Sequence, residues 1–566
     1  MAAAFERPTF CCCRKVVTGS AKSERLNSSR DCPVDIASAS NFQHFQIQHF
    51  HLELDINFPS REIQAVEVLD LVCLQPDTQS LVLDSHQSLH IRSVNAKCRC
   101  NSGENSWPLS HRLDPFTEYG SSLVINLPAA IKPLSNFQII IRYTTADGPA
   151  IWWLDPELTS GNSKPFLFTH GHSVCNRSFF PCFDTPAVKS TYSATVMVPP
   201  GIRVLMSATR STFDEQENIY RFQMEYPVPA YLLALVAGDL ISADIGPRSR
   251  VWAEPCLLKI ATAKLNGTVE RWLSAAENLF GPYMWERYDV VFLPPSFPIV
   301  AMENPCLTFI ISCILESDEF LIIDVIHEIA HSWFGNAVTN ATWEEMWLSE
   351  GLATYAQRRI TTETYGLEFE RWLNASGPPL LEPDLSQGSS LIKPVESLYQ
   401  LWSSETPDGN RITDIDISKW KTFQIVHLLD KLLDRSPLPH EAMMKLSKSY
   451  SALLDSMNAE IRIRWLQIVV RNNYLPDFYK VRRFLENHTS RMYTGPLYED
   501  LCAGTMKAIA METFYLTQNR LHVNLRRAIQ QIFAHSANPA AVMTLLEDKP
   551  SDASNPISLR DVNVSA

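Results

Sequence analysis

Strict alternation of apolar and polar side chains opens the patterned part of the chain. Between His51 and Phe58, Leu52, Leu54, Ile56 and Phe58 fall on one face and the polar residues on the other. That period of two predicts a half-buried strand. Short β-branched runs follow at 80–84, 123–127, 137–143, 192–198 and 204–207, separated by Pro, Gly, Asn and Asp. Together they predict an all-β region of sandwich type up to about residue 245. After Gly246-Pro247 the period shifts to 3.6. Helices are predicted over 265–279, 318–335 and 343–364. A Pro-rich stretch at 377–390 breaks the pattern. Beyond it, amphipathic helices at 418–433, 441–454, 459–471 and 476–487 are joined by short turns, as in stacked antiparallel helices. The organisation that follows is a tail at 1–33, a β domain at 34–245, a mostly helical domain at 246–376, a linker at 377–392, a helical domain at 393–535 and a tail at 536–566.

Composition narrows the classes. The 566 residues are 45% hydrophobic and 20% charged, ordinary for a globular chain. A net charge of −13 argues against nucleic acid as a partner. No uncharged apolar run approaches the ~20 residues of a membrane span. The N-terminal sequence lacks the basic and apolar regions of a secretory signal. The 13 cysteines show no regular framework, which predicts reduced thiols and a cytoplasmic chain. The sequons at Asn266 and Asn340 are then expected to go unused. Cys11, Cys12 and Cys13 precede Arg14-Lys15. This cluster reads either as an S-acylation site giving weak membrane association or as a tail with reactive thiols.

The chemistry concentrates at His327-Glu328-Ile329-Ala330-His331. On a helix, positions i and i+4 lie one turn apart on one face, so both imidazoles can reach one metal ion. Glu328 is rotated away from His327 and can serve a water rather than the metal. The alternative is a helix with two structurally satisfied histidines. Glu350 follows after 18 intervening residues, room for a turn and a second antiparallel helix that faces the pair. Two histidines and one carboxylate leave a fourth tetrahedral position open, the pattern of catalytic zinc.

These residues carry a family resemblance. HEIAHSWFGNAVTNATWEEMWLSEGLATY resembles the core signature of the gluzincin-type zinc aminopeptidases. Val300-Ala301-Met302-Glu303-Asn304 resembles their exopeptidase motif, Gly-x-Met-Glu-Asn. The segments FLPPSFP, ENPCLTF and FFPCFDTPAVKSTYSA are similar to the aminopeptidase B and leukotriene epoxide hydrolase branch. The resemblance implies a multidomain α+β fold. Its parts are an N-terminal β saddle, a thermolysin-like catalytic domain and a C-terminal α-helical, superhelical domain. It implies one zinc ion on His327, His331 and Glu350, Glu328 as general base, and peptide substrates with a free N-terminus. Glu303 would anchor the substrate's α-amine, within a motif that includes Met302 and Asn304; the alternative is a surface ion-pair partner. His172 stands where the branch commonly has an amine-binding Gln, and is equally readable as a structural histidine. Arg491 resembles an arginine that meets the substrate's C-terminal carboxylate, or is a solvated helix-end charge.

Two departures shape the functional expectation. Val300 and Ala301 replace the motif's glycine character, which predicts a narrowed or reshaped peptide groove. The family's several-helix segment after the Glu350 helix, with its oxyanion-stabilising tyrosine, has no counterpart after Gly366. Its loss should expose catalytic-domain core and lower turnover. Tyr355, Tyr365 and Tyr399 are nearby in sequence, and Tyr355 is expected to pack inward. The leading reading is a zinc aminopeptidase of reduced activity. The alternatives are a weakly active or inactive binding scaffold and a leukotriene-type epoxide hydrolase.

Overall fold

Alternation places its apolar residues inside. In the computed structural model, Leu52, Leu54 and Ile56 lie on the buried face of the strand Phe45–Asn57. The structure describes residues 34–366 and 393–535, except 76–77, 99–105, 118, 129–135, 147, 317, 404–415 and 421. The expected tails, the Cys11–Cys13 cluster and the Pro-rich linker lie outside the described residues.

Phe45–Asn57 sits inside an eight-stranded sheet, antiparallel to Glu62–Cys73 on one side and parallel to Lys189–Met197 on the other. The parallel pairing demands a long crossover. Three- and four-stranded sheets are built within and beside it, from Ser80–Ser85, His111–Thr117 and Gly120–Asn126, and from Ile151–Leu154, Phe166–Thr169, Arg203–Met206 and Leu235–Gly238. The strands Glu62–Cys73, Leu89–Cys98 and Ile219–Pro229 are missing from the sequence reading. Charged residues interrupt their apolar positions, and in the first of them Glu67 is fully buried.

A five-stranded mixed sheet follows, in the order Ile241–Gly246, Ser249–Ala253, Asp289–Leu293, Leu307–Ile311 and Ala301–Met302. The last of these is an edge strand that carries part of the Met302-Glu303-Asn304 motif. Against this sheet pack α1 (Pro255–Leu265), α2 (Thr268–Phe280) and α3 (Asp318–His331), and α4 (Met346–Tyr365) packs on α2 and α3. The helix expected from 265 begins at Thr268, because Gly267 at φ +70 turns the chain after α1, which the sequence reading did not include. The helix expected to reach 335 stops at His331, and a tight turn follows it. Trp343–Glu345 form a 3-10 turn ahead of α4.

The C-terminal region is a stack of helices: α5 (Lys393–Ser403), α6 (Thr422–Asp434), α7 (His440–Asp455), α8 (Ala459–Arg471), α9 (Phe478–Asn487), α10 (Arg491–Ala503), α11 (Lys507–Thr517) and α12 (Val523–His535). The buried apolar residues form two clusters. One runs without a break from the N-terminal sheets through α4, and the other is confined to 395–533. Trp152 stacks on His522 at 4.4 Å, joining the first region to the last. Among the described residues no helix is long and apolar enough to cross a membrane, and Cys73, Cys175, Cys182, Cys256, Cys306, Cys313 and Cys502 form no disulfide.

Candidate metal centre

The centre is built where α3 and α4 lie side by side. Val325, Ile326, Ile329 and Ala330 bury one face of α3 in the core. That leaves His327 and His331 on a common face, with their Nε2 atoms 3.0 Å apart. Along α4, Met346, Ser349, Glu350, Ala353 and Gln357 share the buried side. Glu350 Oε2 therefore meets His327 Nε2 at 3.3 Å and His331 Nε2 at 3.5 Å. His331 Nδ1–H donates to the Phe334 carbonyl at 2.9 Å, which fixes the tautomer and leaves Nε2 its lone pair. Three ligand atoms of the right chemistry thus converge on one point, and these residues fit a tetrahedral zinc ion.

The turn after α3 is needed for this geometry. Gly335 has φ +132, and a Cβ there would stand 2.9 Å from His331 Nδ1. Asn336, next in the turn, donates from Nδ2 to the Glu303 carbonyl at 2.8 Å. Lys189 Nζ reaches across from the N-terminal sheet to the carbonyls of Asn336 and Ala337. Asn340 is buried and donates to the Thr342 carbonyl, while its Oδ1 accepts from Ser349 on α4. A sequon asparagine held in this way cannot carry a glycan in the folded chain.

Glu328 is buried and its Oε2 has no hydrogen-bond partner among the described residues. Burial raises its pKa well above the usual carboxylate range; His331 opposes that, and Glu303, Glu350 and Asp324 add to it. Such a carboxylate holds a proton readily once it has taken one. Burial opposes the charged form of His331, but Glu350 and Glu303 outweigh it and lift this imidazole to about 10 in the metal-free site.

Two further predicted residues are gathered at the same place. His172, Glu303 and Glu350 each offer a ligand atom within 4.8 Å of the others. The loop bearing His172 is held close because Gly171 has no side chain; a Cβ would sit 2.7 Å from the Tyr231 carbonyl. Asn304 is buried beside Glu303, with its Nδ2 unpartnered among the described residues. The Met302 and Ala301 side chains enter the core, and Val300 packs against it. The expected narrowing of the groove therefore has no source in the Ala301 side chain. Arg491 lies in the C-terminal helical region, as the first residue of α10; burial lowers its pKa and Glu499 opposes the shift.

Sequence reasoning missed Tyr231 and Trp343. The Tyr231 hydroxyl is buried without a partner among the described residues, and Glu303 and Glu350 add to the burial that raises its pKa. Its ring packs on His172 and Trp343, and Trp343 Nε1 donates to the Asp184 carbonyl at 2.8 Å. Tyr231 sits in an apolar run that reads simply as core, and Trp343 stands between Thr342 and two glutamates with nothing local to mark it as a neighbour of the site. The reading of Tyr355 is corrected: it is 56% exposed on α4, in a stripe with Trp347, Leu348 and Leu352. Helical geometry puts Leu348, Leu352 and Tyr355 on the side away from Glu350, so Tyr355 has no core to pack against. Tyr365 accepts from Trp272 Nε1 at 2.9 Å, and the Tyr399 ring faces Lys431.

Comparison with known proteins places these features in context. Residues 46–232 match the peptidase M1 N-terminal domain, 263–400 the peptidase family M1 domain, and 420–533 the leukotriene A4 hydrolase C-terminal domain. The chain is 51% identical to aminopeptidase RNPEPL1 of Mus musculus, over 98% of this chain and 99% of that one. It is 40% identical to aminopeptidase B of Homo sapiens, over 88% of this chain and 96% of the relative. The fold is similar to that of yeast LTA4 hydrolase in complex with bestatin, with a TM-score of 0.78 at 23% identity, covering 90% of this chain and 98% of that one. The match to the mouse relative spans 718 residues, and this chain has 566. At least 152 positions of that span, the difference of the two lengths, have no counterpart in this chain.

Proposed function

The chain belongs to the M1 peptidase family, and on that premise we propose that it is a zinc-dependent aminopeptidase that removes N-terminal residues from peptides. The observation that carries this reading is the convergence of His327, His331 and Glu350 beside the unpaired carboxylate of Glu328. The three converging residues hold the ion. Zinc, when bound, polarises the peptide carbonyl and lowers the pKa of water.

The chain's own groups supply the rest. Glu328 takes the proton from the attacking water and passes it to the leaving amine; burial suits it to hold that proton in between. Glu303 pairs with the substrate's α-ammonium ion and so sets the cut one residue from the end. His172 and Asn304 border the same amine position. Arg491 is the proposed contact for a substrate's C-terminal carboxylate. Among the described residues the strand Ala301–Met302 is at the edge of its sheet, the position at which an extended peptide can pair.

The reading includes slow turnover. The exposed stripe Trp347, Leu348, Leu352 and Tyr355 is the face a covering segment would bury, and the 718-residue match leaves at least 152 positions without a counterpart in this chain. Tyr355, Tyr365 and Tyr399 are placed as described above and are not assigned the oxyanion role. Loss of one oxyanion donor costs ~100–1,000-fold in rate.

The test pairs metal content with turnover of aminoacyl-arylamides. Wild type should hold zinc and turn over slowly, and Glu328→Gln should keep its zinc and lose that turnover by ~100-fold or more. Zinc-loaded wild type whose turnover is unchanged in Glu328→Gln contradicts the proposal. Zinc-loaded wild type with no turnover at all favours the second reading, a binding scaffold on the same fold.

A further inference from the structure

We propose that this centre has a second divalent-cation subsite, formed by His172, Glu303 and the shared carboxylate of Glu350, which overlaps the position of the substrate's α-amine. The inference rests on the zinc reading of His327, His331 and Glu350 above.

The ligand atoms of His172, Glu303 and Glu350 lie within 4.8 Å of one another, close enough to surround one ion. His172 is 3% exposed and its Nε2 has no partner among the described residues. Its ring is held by edge contacts to Tyr231 and Trp343, not by hydrogen bonds. Glu303 is 4% exposed, and its carboxylate accepts no hydrogen bond among the described residues. The buried Nε2 of His172 left unbonded is costly unless a ligand satisfies it, and the Glu303 carboxylate beside it can share that ligand.

Charge points the same way. With His327 and His331 neutral as ligands, one dication faces the three carboxylates Glu303, Glu328 and Glu350, and one negative charge is left uncompensated. A substrate ammonium or a second cation supplies the missing charge. Imidazole with carboxylate selects a transition-metal dication of the zinc class over calcium or magnesium. A carboxylate has two oxygens, so Glu350 can serve both ions, as bridging ligands do in two-metal sites. Because the second ion and the α-ammonium compete for Glu303, excess zinc acts as an inhibitor of amine binding.

The experiment is calorimetric titration of zinc chloride into metal-depleted full-length wild type, His172→Gln and Glu303→Gln. Wild type should show one tight and one weaker event. Both variants should keep the tight event and lose the weaker one. The thiols are the same in all three proteins, so ions bound by cysteine persist in the variants. An unblocked dipeptide amide should displace the weaker event in wild type, and its N-acetylated form should not. A weaker event that is absent from wild type, or unchanged in both variants, overturns the second subsite and leaves the zinc-peptidase reading standing. Absence of the tight event from wild type overturns that reading and the second subsite with it.

Discussion

His331 shows how a single side chain links charge to metal uptake. Burial disfavours its charged form, yet Glu350 and Glu303 hold its pKa at about 10, above the ordinary 6.5. In the metal-free protein the ring is cationic at neutral pH, and zinc must displace that proton. Zinc affinity should therefore weaken by about tenfold for each unit of pH lost below 10. Titration at pH 7.5 in buffers of different ionisation enthalpy should reveal about one proton released per zinc; a buffer-independent heat would contradict this. For the metal-free fold the sign is the reverse. The raised pKa contributes stability fully below 6.5, and that contribution is lost as pH climbs through about 10. Most of the gathered residues were legible one by one, because His-x-x-x-His spacing and the Met-Glu-Asn motif are local. Tyr231 and Trp343 were not, since nothing in the local sequence marks which ring will border a site built by distant segments.

At the scale of elements, the turn after α3 decides how His331 is held. Gly335→Ala places a methyl 2.9 Å from Nδ1 at a φ of +132, which L side chains rarely adopt. The variant should lose ~1–3 kcal/mol of stability, read from urea midpoints, and should bind zinc more weakly than wild type. Unchanged zinc affinity would remove the turn from the account. Helix interiors followed the apolar period well, whereas helix ends did not. Gly267 delays the helix expected from 265 to Thr268, and Trp420, extended at ψ 148, delays α6 to Thr422. These ends are set by single backbone angles that periodicity does not carry. The strand Glu62–Cys73 was missed because the fully buried Glu67 breaks its apolar face, and only the register reveals that this face is inside.

Across the whole molecule, the N-terminal sheets and the catalytic helices share one core, so damage to one should reach the other. Arg177 is fully buried between Asp184, at 2.9 Å, and Asp84, at 3.7 Å. Asp184 in turn accepts from Trp343 at the mouth of α4. Arg177→Ala leaves both carboxylates buried without their cation and should cost ~3–5 kcal/mol, measured by denaturant unfolding, with zinc lost in the same transition. Zinc retained through that transition would mean that the two regions unfold independently. The domain order was legible from the change in hydrophobic period. The uncovered face of α4 was anticipated only through the resemblance, since composition and length alone look complete.

The central claim is removal of single residues from free N-termini by a zinc centre. The most direct measurement is mass spectrometry of one peptide incubated with the zinc-loaded protein, in free and N-acetylated forms, with and without a chelator. The account predicts slow loss of one residue at a time from the free peptide, none from the acetylated form, and none from either after chelation. Internal cleavage, or equal trimming of the acetylated peptide, would contradict it.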